Sequence, residues 1–132
     1  MFGRVLSVLG VSGEGYTSKD VASAVAALYF HMISADGVIK SEEMDEFNKV
    51  LADQFDLSEK ELRQIVEKGM REDQSSPGIF PFTVILNREL DSEHRQTIVG
   101  RLEQLAKVDG EFHPLEQDLL DHIGRLLNVD SA

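Results

Sequence analysis

The chain contains no cysteine. Disulfides, cysteine-based zinc sites and thiol catalysis are therefore excluded, and one reason to expect secretion is removed. No apolar run approaches the roughly 20 residues that span a bilayer. The opening stretch, "MFGRVLSVLGVSG", holds one Arg and a short apolar segment. That segment is short even for a signal-peptide core, and no small-x-small cleavage pattern follows it closely. Also missing are a G-x-S-x-G elbow, a phosphate-cradling glycine loop and an H-E-x-x-H pair, so no nucleophile–base constellation stands out. Positive charge is scarce: 13 Lys and Arg face 24 Asp and Glu, for a net charge of −11. A polyanion is held mainly by Lys and Arg on its phosphates, so this balance weighs against nucleic acid and against an anionic membrane surface. Cations and basic protein partners are favoured instead, although an acidic surface also serves solubility alone. The expected location is the cytoplasm.

What is present fits one domain with a single core: 132 residues, 42% hydrophobic and 28% charged. Residues 1–17 read as a short N-terminal helix and a Gly/Ser-rich joint, "VSGEGYTS". The amphipathic stretch 1–11 docks on the body or offers a weak membrane-surface or partner contact. Residues 18–132 read as the helical domain. "KDVASAVAALYFHMISA" at 19–35 is apolar almost all the way round, as a central buried helix should be. Met44, Phe47, Val50, Leu51 and Phe55 give the next helix one buried face. Ser58 and Glu61 spell a capping box ahead of Leu62, Ile65, Val66 and Met70. Prolines are few, and each has a place. Pro77-Gly78 marks a loop, Pro81 an entry into a short helix, and Pro114 a first helical position. "TVI" at 83–85 has strand propensity, but a lone strand has nothing to pair with, so a helix is expected there. Leu115, Leu119, Leu120, Ile123, Leu126 and Leu127 form the last stripe. The expected fold is all-α, a single domain of six or seven helices.

One pattern occurs twice. "SADGVIKSEE" at 34–43 and "KVDGEFHPLE" at 107–116 stand 73 residues apart, each with Asp-Gly and a Glu seven places after the Asp. Apolar positions match around them: Met32 with Leu105, Ile33 with Ala106, Phe47 with Leu120, Val50 with Ile123. Leu28 against Arg101 is the exception, and Phe55 reaches Leu127 with one residue inserted. Each unit reads as helix, Asp-Gly loop, helix, and two such units can pair around a pseudo-two-fold axis.

The fragment D-G-x-[apolar]-x-x-x-E is the second half of an EF-hand loop. The first half fails, because Met32 and Leu105 fall where the opening oxygen ligand should be. Asp36, Glu43, Asp109 and Glu116 remain candidate oxygen ligands, with Gly37 and Gly110 permitting the tight loops. Gathered from both halves around one divalent ion, with backbone carbonyls and waters, such a carboxylate set suits calcium, magnesium or manganese, and zinc less well. The alternative is purely structural: Asp before Gly makes an Asx turn, and Glu early in the next helix caps it. Of the four histidines, His31 and His113 lie nearest the loops, but Lys40 stands where the repeat would put a second His113.

"ADGVIKSEE…FNKVLADQFDLS" and "KVDGEFHPLEQDLLDHIGRLLNV" resemble the tellurite-resistance TerB-like family over roughly residues 18–130. The resemblance carries over to Asp36, Gly37, Glu43, Asp109, Gly110 and Glu116, while Val108 stands where the family more often has Ala. It implies an all-helical, metal-responsive or protein-interaction module rather than an enzyme. Three functions follow as expectations. The first is a non-enzymatic module binding a divalent cation through the paired loops, linked to metal or tellurite stress. The second is a protein-interaction domain with structural carboxylates, its unknown and preferentially basic partner meeting the acidic face 42–73. The third, from another class, is a hydrolase using paired carboxylates.

Overall fold

A helix that is apolar on every side belongs in the middle of a fold. In the computed structural model, which describes residues 18–35, 37–76, 78–108, 110 and 114–129, α1 (Ser18–Ile33) takes that place. Every residue from Val21 to Phe30 is buried. Around it lie α2 (Ser41–Phe55), α3 (Glu59–Ser75), α4 (Phe80–Glu89), α5 (Ser92–Ala106) and α6 (Pro114–Leu126). α1 packs on all five of them, α3 most extensively. The described residues form helices and no strand, as the all-α reading expects. The short N-terminal helix and joint expected over 1–17 lie outside the described residues.

Local chemistry explains the helix boundaries. α3 opens with the capping box read from the sequence. The Ser58 hydroxyl accepts from the Glu61 N–H at 3.2 Å, and the Glu61 carboxylate accepts from the Ser58 N–H at 2.9 Å. α2 closes where Asp56 turns left-handed at φ 52°, a conformation Asp tolerates better than most residues. α5 opens on Asp91, whose carboxylate accepts from the His94 N–H at 2.9 Å. That backbone hydrogen bond, with the His94 side chain behind it, holds the Asp91 carboxyl below its ordinary range.

The ambiguous segment at 83–85 is helical because packing outweighs propensity. Phe82 and Leu86 are buried a turn apart, and the Thr83 hydroxyl donates back to the Phe80 carbonyl at 3.0 Å. One expectation is corrected. Leu115 is 51% exposed rather than part of the α6 stripe. The inward series is Glu116, Leu120, Ile123 and Leu127, at steps of four, three and four, so the inward slot of the first turn belongs to Glu116.

Polar groups bridge α1 to its neighbours. Lys68 of α3 donates to the Ser23 hydroxyl at 2.9 Å and lies 3.4 Å from both Asp20 and Glu72. Tyr29, fully buried, donates its hydroxyl to Gln54 of α2 at 2.6 Å. Burial pushes the Tyr29 phenol far above its ordinary pKa, so it stays a neutral donor. On the surface, Arg101 of α5 meets Asp53 of α2 at 3.3 Å, an exposed pair worth at most about 1 kcal/mol.

Candidate cation-binding turns

The two Asp-Gly segments occupy matching places. α1 ends at Ile33 and α5 at Ala106, while α2 starts at Ser41 and α6 at Pro114. Both offsets equal the 73 residues that separate the two sequence motifs. The backbone agrees in detail. The Gly37 N–H donates to the Ser34 carbonyl at 3.0 Å, and the Gly110 N–H to the Lys107 carbonyl at 3.0 Å. Two residues earlier, the Ala35 N–H donates to the Met32 carbonyl at 3.3 Å and the Val108 N–H to the Leu105 carbonyl at 3.5 Å. Gly37 has φ 81° and Gly110 φ 82°.

Both glycines therefore sit in the left-handed region, where a β-carbon crowds its own backbone. Nothing lies within 4 Å of the position a β-carbon would take at either one, so the requirement is conformational and not steric. Gly37→Val and Gly110→Val should each lose about 1–2 kcal/mol. Urea unfolding of the two variants should give closely similar losses. A loss confined to one of them would mean that the turns are not equivalent.

The core flanking the turns is matched as well. Met32 and Leu105, Ile33 and Ala106, Phe47 and Leu120, Val50 and Ile123, and Phe55 and Leu127 are buried on both sides. Arg101 breaks the match, because it serves the surface pair with Asp53 while Leu28 is buried.

Glu43 and Glu116 are 4% and 5% exposed, each the third residue of its helix. This is the end of a helix at which free N–H groups and the macrodipole favour a carboxylate. Glu43 accepts from the Lys40 N–H at 3.2 Å. Glu61, the third residue of α3, is buried to the same degree and serves its own capping box without any Asp-Gly turn. Asp36 and Asp109 lie outside the described residues. Among the described residues, no three His, Asp or Glu side chains gather as a metal-ligand group.

Two histidines have partners of their own. The His31 ring nitrogen Nδ1 lies 2.7 Å from the Asp73 carboxylate of α3, and that of His94 lies 2.6 Å from Asp91. His113 lies outside the described residues, and His122 is exposed on α6. A broad surface groove of about 810 Å³ between α5 and α6 carries Glu103 and Asp121. Glu103 lies 3.5 Å from the Lys107 ammonium.

Residues 22–132 match the family model described as tellurite resistance protein TerB. The chain belongs to the TerB family. Neither a curated protein nor a solved structure matches it. The TerB match takes in both turns and all of α2 to α6. No described helix of this TerB chain is long and apolar enough to cross a membrane.

Proposed function

We propose that the chain is a non-enzymatic TerB binding module that holds a divalent cation at each Asp-Gly turn, acting in the cytoplasm in a metal- or tellurite-stress response. Asp36 and Glu43 supply oxygens at the first turn, and Asp109 and Glu116 at the second. The observation that carries this reading is the duplicated turn. Two segments 73 residues apart share the same glycine hydrogen bond and the same left-handed φ, and each leads into a buried Glu at the third helical position. A turn needed only to join two helices has many solutions, so keeping one solution twice, with its acids, favours a shared task. Hard carboxylate oxygens without thiolates fit calcium, magnesium or manganese better than zinc. The helices α2 and α6 each pack on α1 and are not a principal packing pair, which favours one ion per turn over a single ion held between them.

Thermal melts test this reading. A ligand that binds only the folded state stabilises it, by about 2.7 kcal/mol at a hundredfold excess over Kd. Calcium, magnesium or manganese should raise the melting temperature above that in EDTA by roughly 5 °C or more. The rise should fall away in Glu43→Gln combined with Glu116→Gln. Melts that coincide in EDTA and in every ion would remove the proposal.

Glu61 favours a second reading. It is buried at the same helical position and closes a capping box with no Asp-Gly turn before it. On that reading Glu43 and Glu116 only fasten their turns, and the module works through protein contacts.

A further inference from the structure

The groove between α5 and α6 belongs to neither turn. Val99, Leu120 and Val129 supply its apolar lining, and Val99 and Val129 are only partly buried. Gly100 and Gly124 line it without side chains. At Gly100 no described atom lies within 4 Å of the position a β-carbon would take, and at Gly124 the nearest is the Val129 carbonyl oxygen at 3.6 Å. The lining runs over 96–103 of α5 and 117–125 of α6, about 11 and 12 Å of helix.

Residues 2–9, "FGRVLSVL", suit this space. Phe2, Val5, Leu6 and Leu9 fall at i, i+3, i+4 and i+7, the spacing of one helical stripe, with Arg4 and Ser7 on the opposite side. Eight helical residues measure about 12 Å, which matches the groove. Residues 10–17 then lead into α1 at Ser18, and eight extended residues reach about 26 Å. α1 packs on both helices that wall the groove, so the joint enters a direct neighbour of both. Two further arguments favour this occupant over a second copy or a separate partner. The groove carries Glu103 and Asp121, and a second copy would bring its own net charge of −11, whereas residues 1–13 hold Arg4 and no acid. A short tether also keeps the segment at a roughly millimolar effective concentration, so a stripe of four side chains docks without the affinity a free peptide would need.

We propose that residues 2–9 form a helical strap that lays its Phe2, Val5, Leu6 and Leu9 stripe in the α5–α6 groove. The docked strap covers Val99, Leu120 and Val129 and closes the groove to other proteins. The inference stands apart from cation binding, since no residue of the groove belongs to either turn.

The test is a spin-label NMR measurement on the full isotope-labelled chain in EDTA, so that neither outcome bears on the turns. The chain has no cysteine, so Ser7→Cys gives one site for a nitroxide label, on the side of the strap away from its stripe. The label should erase amide signals over 96–103 and 117–125 and spare α3. Phe2→Ser combined with Leu6→Ser should weaken docking by about tenfold or more, and the erased signals should return. Gly100→Trp fills the groove from its own wall and should return them as well. The spectrum of each variant reports that its helices remain folded. Signals that survive the label, broadening that maps elsewhere, or broadening that persists in both variants would overturn the proposal. So would broadening of the unlabelled-cysteine-free, isotope-labelled chain by added spin-labelled chain, which would make the occupant a second copy.

Discussion

Replacing Phe47 by alanine should lower the stability of the domain by about 3–5 kcal/mol. Phe47 is fully buried on α2, and its ring meets Phe30 of α1 with centroids 6.5 Å apart and planes tilted by 53°. Truncation removes the burial of a large apolar side chain. It also removes a tilted aromatic contact worth about 0.5–1.5 kcal/mol beyond area alone. The central helix cannot shift to fill the space, because every other described helix packs on it. The counterpart in the second unit, Leu120, is 8% exposed. Leu120→Ala should therefore fall near the low end of the usual range, about 2–3 kcal/mol. Urea unfolding of both variants checks the ordering. A loss for Phe47→Ala smaller than that for Leu120→Ala would contradict the packing of α1 on α2.

Gly69→Ala should cost about 1–3 kcal/mol, although alanine is the better helix former by about 1 kcal/mol. A β-carbon at Gly69 would stand 2.7 Å from the Ala26 β-carbon and 3.0 Å from the Ala27 backbone nitrogen. Neither neighbour is the end of a flexible side chain, so α3 would have to move off α1. Gly100→Ala provides the control. It is the same exchange inside α5, where nothing lies within 4 Å of the new atom. That variant should gain about 0.5–1 kcal/mol. Opposite signs for one substitution, read as opposite changes in melting temperature, are the signature of close helix contact at Gly69. If both variants stabilise the chain, α1 and α3 lie farther apart than described.

The legible part of the fold was the part governed by local rules. α1 declared itself central because it has no polar face to give to water, and its complete burial from Val21 to Phe30 follows from that. Ser58 and Glu61 announced a helix start because a capping box is closed within four residues. The Asp-Gly spacing located both turns, since glycine enters the left-handed region most readily. Features that depend on distant chain were hidden. Asp73 meets His31 across 42 residues, and Gln54 meets Tyr29 across 25, and no spacing rule links such pairs. Glu89 is a further case: its side chain is 1% exposed, with one carboxylate oxygen 3.7 Å from Arg88 and the other without a hydrogen bond. Its sequence position, at the end of an ordinary helix, gives no sign of that burial. Leu115 misled for a simpler reason: its hydrophobicity suggested the inward slot that Glu116 fills by helical phase.

The same limit applies to the turns. The sequence proposed six residues, and geometry now relates four of them in pairs: Gly37 with Gly110, and Glu43 with Glu116. The carboxylates of Asp36 and Asp109 are what distinguishes an ion site from a helix cap. A cap needs one oxygen on a backbone N–H, as Glu43 provides on Lys40. A hard cation needs several oxygens converging from both ends of the loop.

Manganese separates these possibilities most directly, because a bound paramagnetic ion erases the NMR signals of nearby amides. Adding substoichiometric manganese to the isotope-labelled chain should broaden residues 34–43 and 107–116 together, while α3 and α4 stay sharp. Calcium in excess should restore both sets. Broadening that is diffuse over the acidic surface, or that spares both turns, would contradict the account.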